Sequence, residues 1–187
     1  MYKIDNVSEK KILLGFWIYI LSDCILFSVI FAVYVLLSKK HNMYNMNMYN
    51  MYMVNIETLI LLLSSFIIGI VVLVLKKEKI VFNLLIVLLL GLIFVSLEMK
   101  EIMNLINQGF TPKTSSCISA YLTLIGTHCI HIIIGIYWGI CLLINILLKG
   151  LNIKNKTSLL CLSIFWHFLH IIWVCIFTLV YLIGVIG

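Results

Sequence analysis

Five apolar runs, at about residues 12–37, 56–75, 80–97, 118–148 and 158–187, constrain this chain more than any other feature. A helix needs about 20 residues to cross about 30 Å of hydrocarbon, because each residue adds about 1.5 Å. Four of the runs reach or exceed that length, and 80–97 comes within two residues of it. With 64% hydrophobic and 11% charged residues, the chain lacks the polar surface that a water-soluble domain of 187 residues requires. The expectation is an all-α, integral membrane bundle of five transmembrane helices, forming a single domain over 1–187. The first run is too long for a signal peptide's apolar region, and no A-x-A site follows it.

Loop charge sets the expected orientation. Nine lysines fall on the side of the N-terminus, the 76–79 turn and the 149–157 loop, and four fall on the other side. The positive-inside rule then places the N-terminus in the cytoplasm and the C-terminus outside. The net charge of +6 is spread in short clusters between apolar runs, which is not the pattern of a nucleic-acid surface. "KKEK" at 76–79 is short enough to make the second and third spans antiparallel neighbours. The outer loop 38–55 is low-complexity, and its "HNMYNMNMYNMYMVN" reads as a repeat-expanded connection, although methionine thioethers are soft Cu(I) ligands. The six cysteines form no C-x-x-C pair and read as small buried hydrophobes.

Ionisable residues deep in a membrane carry the most information, because each is costly unless it meets a partner or a cavity. Asp23 lies about 16 Å into the first span at helical rise. His128 and His131 lie three residues apart in the fourth span, and His167 and His170 repeat that spacing in the fifth. All five fall near mid-bilayer, so the expectation is one polar layer joining spans one, four and five. Three uses compete for that layer: structural bonding between helices, a metal or bis-histidine haem site, and a proton path in a small transporter. H-x-x-H pairs alone specify no metal, and no adjacent carboxylate completes a di-iron pattern. Glu57 and Glu98 are expected at the outer ends of spans two and three, in reach of interfacial water, with Glu101 more exposed. Gly126 and Gly135 in "GTHCIHIIIG" are expected to let helix backbones approach. No phosphate loop, nucleophile elbow or zinc-protease motif occurs.

Four stretches together resemble subunit III of the haem–copper terminal oxidases. They are "GFWIYILSDCILFSVIFAVY", "ETLILLLSS", "GTHCIHIIIGIYW" and "LSIFWHFLHIIWVCIFTLVYLIG". The five-span length and the "SD" of the first span resemble the cytochrome o ubiquinol oxidase version. The resemblance implies a complex of the bacterial inner membrane that oxidises ubiquinol, reduces oxygen to water and pumps protons. It implies haem and copper in a partner subunit I, with no cofactor, metal or catalytic residue in this chain. It implies further partners in subunit II and a small subunit IV, bound phospholipid, and a role in assembly and sustained turnover. The face with Gly and Ser residues on spans one to three is the expected contact with subunit I. One position departs from the pattern. After "FWHFL" the family usually has an acidic residue, and here His170 stands there. A compensating contact from Asp23 or His128 is therefore expected.

Overall fold

The structure is a computed structural model that describes residues 7–41, 51–73, 77–109 and 115–182. Its elements are α1 (Val7–His41), α2 (Met51–Leu73), α3 (Lys77–Asn107), α4 (Ser116–Lys149) and α5 (Ile153–Ile176). The hydrogen bonding of α5 then widens to π type over Phe177–Leu182. All five helices are long and apolar enough to cross a membrane, and no strand occurs among the described residues. The chain is an all-α bundle, and each helix carries the described part of one of the five apolar runs.

Helix ends differ from the sequence expectation for local reasons. Helix α4 begins where the Ser115 side chain accepts from the Cys117 amide at 3.3 Å, a cap that apolar counting does not register. It stops at Gly150, whose φ of 73° suits glycine and whose amide donates to the Ile146 carbonyl. Helix α3 runs ten residues past Leu97, because the polar "EMKEIMN" that follows still favours helix. Met51–Asn55, read as loop, belong to α2, whereas 42–50 of the Met/Asn/Tyr stretch lie outside the described residues.

Helices α2, α3, α4 and α5 form a ring in which each packs on the next and α5 closes on α2. Helix α1 lies outside this ring, against α4 and α5. Lipid supplies no hydrophobic drive between helices, so close approach must come from shape. Glycine provides it inside the ring. A Cβ on Gly91 would stand 2.9 Å from the Trp166 ring, and one on Gly135 would stand 3.1 Å from the Phe165 ring. Gly126, expected to act likewise, has open space around it. The Trp166 ring is rigid and its indole nitrogen is bonded to Ser64, so it cannot yield easily at Gly91. Gly91→Ala is therefore expected to lower bundle stability by about 1–3 kcal/mol. Gly15→Ala, which meets nothing within 4 Å, should be near neutral. Detergent-unfolding midpoints of the two variants check this.

Among the cysteines, Cys117, Cys129 and Cys161 are buried, Cys141 and Cys175 are half-buried and Cys24 is exposed. The buried-hydrophobe reading therefore holds for three of the six.

Candidate functional site: polar groups at the centre of the bundle

The residues expected to form one polar layer fall into two groups, with His167 as an outlier and His170 in neither. The first group joins α1 to α4. Its helical register places Ile20, Asp23, Phe27 and Tyr34 on the buried side of α1. His131 Nε2 lies 3.6 Å from Asp23 Oδ2, and both side chains are largely buried. His131 Nδ1 is 2.8 Å from the Thr127 carbonyl, one turn earlier on α4. A carbonyl only accepts, so Nδ1 carries a proton and donates it. The nitrogen facing Asp23 is then protonated only in the imidazolium. An ion pair and a neutral carboxyl–imidazole pair thus differ in where a single proton rests. The Phe27 ring packs on His131 at 5.1 Å, and Tyr19 lies one turn before Asp23 on α1.

The second group fills the four-helix ring. His128 is fully buried, and its Nε2 donates to the Leu169 carbonyl of α5 at 3.3 Å. The Trp173 ring stacks on it at 5.5 Å and 26°, and the Phe94 ring meets it edge-on at 5.8 Å. The indole nitrogen of Trp173 donates to Thr58 Oγ1 at 3.1 Å, and that of Trp166 donates to Ser64 Oγ at 3.1 Å. Each hydroxyl also donates down its own helix, Thr58 to Val54 and Ser64 to Leu61. The two hydroxyls therefore accept across the interface and donate within α2, which ties α5 to α2 at two levels.

The sequence of α5 alone assigns these tryptophans no bonding partner. A signal was present: the seven-residue step from Trp166 to Trp173 nearly matches the step from Thr58 to Ser64 on the antiparallel helix. Partner elements had to be known before that match could be read.

His167 is the outlier. It sits on the exposed strip of α5, with Nε2 3.7 Å from where a Gly69 Cβ would stand. His170 is half-buried, and its Nδ1 is buried without a hydrogen bond among the described residues. Asp23 is matched with His131 and His128 with a backbone carbonyl, so neither supplies the contact expected to compensate for His170. The histidines do not converge: His131 faces α1, His128 lies in the ring, His167 sits exposed beside Gly69 of α2, and His170 is half-buried. The single polar layer expected across α1, α4 and α5 is thus divided. Among the described residues, no three His, Cys, Asp or Glu side chains converge on a point that could hold a metal ion.

The acidic residues lie deeper than expected. Glu57 is 1% exposed and Glu98 is 0% exposed, so neither stands at an interfacial water layer within this chain. The extra turns of α3 explain this, since they carry Glu98 and Glu101 alongside the start of α2. Glu57, Glu98 and Glu101 are close enough to interact electrostatically, and Glu98 makes no hydrogen bond with described residues.

Comparisons with known proteins bear on the family of the chain. A family model described as cytochrome c oxidase subunit III matches residues 3–185. A cytochrome bo(3) ubiquinol oxidase subunit 3 from Buchnera aphidicola is 42% identical, over 97% of this chain and 91% of the relative. One of the same name from Pseudomonas putida is 38% identical, over 96% of this chain and 89% of the relative. A probable quinol oxidase subunit 3 from Staphylococcus haemolyticus is 38% identical, over 92% of this chain and 89% of the relative. The match spans all five helices, including both histidine pairs and the buried carboxyls, and on that ground the chain belongs to the cytochrome c oxidase subunit III family.

Proposed function

We propose that the chain is the non-redox subunit III of a proton-pumping terminal quinol oxidase in a bacterial inner membrane. Ubiquinol is the quinol proposed, in keeping with the names of the Buchnera and Pseudomonas relatives. Haem and copper reside in a partner subunit I, with subunit II and a small subunit IV beside it. This chain holds the assembly together and sustains its turnover. One observation carries the reading: several polar groups within the bundle face a partner on another helix. His131 faces Asp23, His128 holds the α5 backbone and two indoles hold α2 hydroxyls.

A cavity of about 350 Å³, lined by Tyr19, Ile134, Tyr137, Trp138, Cys141 and Phe165, supports bound phospholipid, since it is almost wholly apolar and fits part of an acyl chain. The lysine-rich side is placed in the cytoplasm with the N-terminus. Lys77 at the start of α3 donates to the Leu147 carbonyl at the end of α4 at 3.3 Å, which groups those ends on one side.

The test is purification of the complex with and without this chain. The chain is expected to travel with a haem-bearing subunit. Its deletion should leave the haem spectrum intact but make activity decay faster over repeated turnovers. A Soret band from the isolated chain would mean a cytochrome instead, and proton flux through the isolated chain in proteoliposomes would mean a transporter.

A further inference from the structure

Helix α5 is packed by α4, by α1 and by α2, and one sector of it is left open between α1 and α2. Contacts define the two walls. Phe165 and Phe168 of α5 meet Tyr19 and Phe27 of α1, while Trp166 and Trp173 meet Ser64 and Thr58 of α2. His167, Ile171 and Val174 recur at helical spacing along the open sector and are all exposed. The sector is therefore the floor of a furrow that runs along the bundle. Gly69 on the α2 wall presents no side chain beside His167.

His167 stands near the middle of the Ile153–Val180 span, so an exposed imidazole there meets hydrocarbon if nothing covers it. Acyl chains have no hydrogen-bonding groups, and polar side chains at this depth face protein or a water-filled cavity. The half-buried His170 lies one turn on from His167, and the exposed residues beside the pair are apolar: Ile171 is 60% exposed, and Phe66, one turn before Gly69, is 66% exposed. A furrow walled by two helices and floored by a third offers grooves for the ridges of one more helix.

We infer that this furrow seats a transmembrane helix of another subunit of the oxidase, and that the helix offers a side-chain oxygen to His167 at mid-bilayer. The oxygen belongs to a carboxyl, carboxamide or hydroxyl group, because these accept from an imidazole N–H. Gly69 leaves room for the His167 ring to lie against α2, at the edge of the furrow. The inference rests on the reading of the chain as an oxidase subunit and adds which face makes the contact. It differs from the expectation that the Gly and Ser residues of spans one to three define that face.

Two measurements on the intact complex test it. A photo-crosslinking residue at Ile171, with His167 unchanged, is expected to form an adduct with another oxidase subunit. The same residue at Leu92, on the outer side of α3, should give a lipid adduct. His167→Leu should reduce the chain retained through detergent purification about fivefold or more, and His167→Gln should restore most of it. Lipid adducts alone from Ile171, an adduct with a second copy of this chain, or full retention of His167→Leu would each overturn the assignment. A chain that never travels with a haem-bearing subunit defeats the functional reading itself, which separates the two failures.

Discussion

Trp173→Ala is expected to be the most damaging single substitution in the chain. Trp173 is 0% exposed and occupies the centre of the four-helix ring. Its ring stacks on His128, meets the Phe94 edge at 4.9 Å and donates to Thr58. Truncating a buried tryptophan costs about 3–5 kcal/mol in water-soluble proteins, through lost transfer free energy and an unfilled cavity. In a bilayer the separated helices face lipid rather than water, so most of the transfer contribution vanishes. The cavity and lost dispersion remain, which places the expected cost near the lower end, at about 3 kcal/mol. Trp173→Phe keeps much of the ring and loses the bond to Thr58, so it should cost about 1 kcal/mol. Detergent-induced unfolding of the purified complex, followed by loss of this chain, measures both. Equal midpoints for Trp173→Ala and wild type would show that the ring is not held together at this level.

The second large effect lies between Asp23 and His131. Replacing His131 by Leu leaves the Asp23 carboxyl in the α1–α4 interface without the imidazole that faces it. Removing one member of a buried pair costs about 3–5 kcal/mol in soluble proteins, because the other is left uncompensated. The double replacement Asp23→Leu with His131→Leu removes both polar groups, and apolar contact then suits the site. The double variant is therefore expected to be more stable than His131→Leu alone, with a coupling of about 1–2 kcal/mol. A double-mutant cycle on chain retention in detergent checks the sign. Additive losses would mean that the 3.6 Å approach contributes no coupling.

What could be read in advance follows from what a single helix determines. Fold class and the five spans come from local apolarity, which needs no partner to be recognised. Position along a span is equally local, so Asp23, His128, His131, His167 and His170 could be assigned to the interior of their helices from residue counting alone. Direction is not local. His128 and His131 share a helix three residues apart, yet one turns into the ring and the other toward α1, because the rotation of α4 is set by its neighbours. The same limit explains Glu98. Its position after an apolar run suggested an interfacial end, but α3 continues as helix and carries it inside. The indole–hydroxyl bonds of Trp166 and Trp173 required knowing that α5 lies antiparallel to α2.

The placement of α1 outside the ring bears on the order of synthesis. It leaves the ribosome first, yet its docking surface belongs to α4 and α5, which are made last. Throughout translation of the intervening helices, Asp23 is in the lipid phase without the imidazole that later faces it. The nascent chain must therefore shelter that carboxyl until His131 emerges.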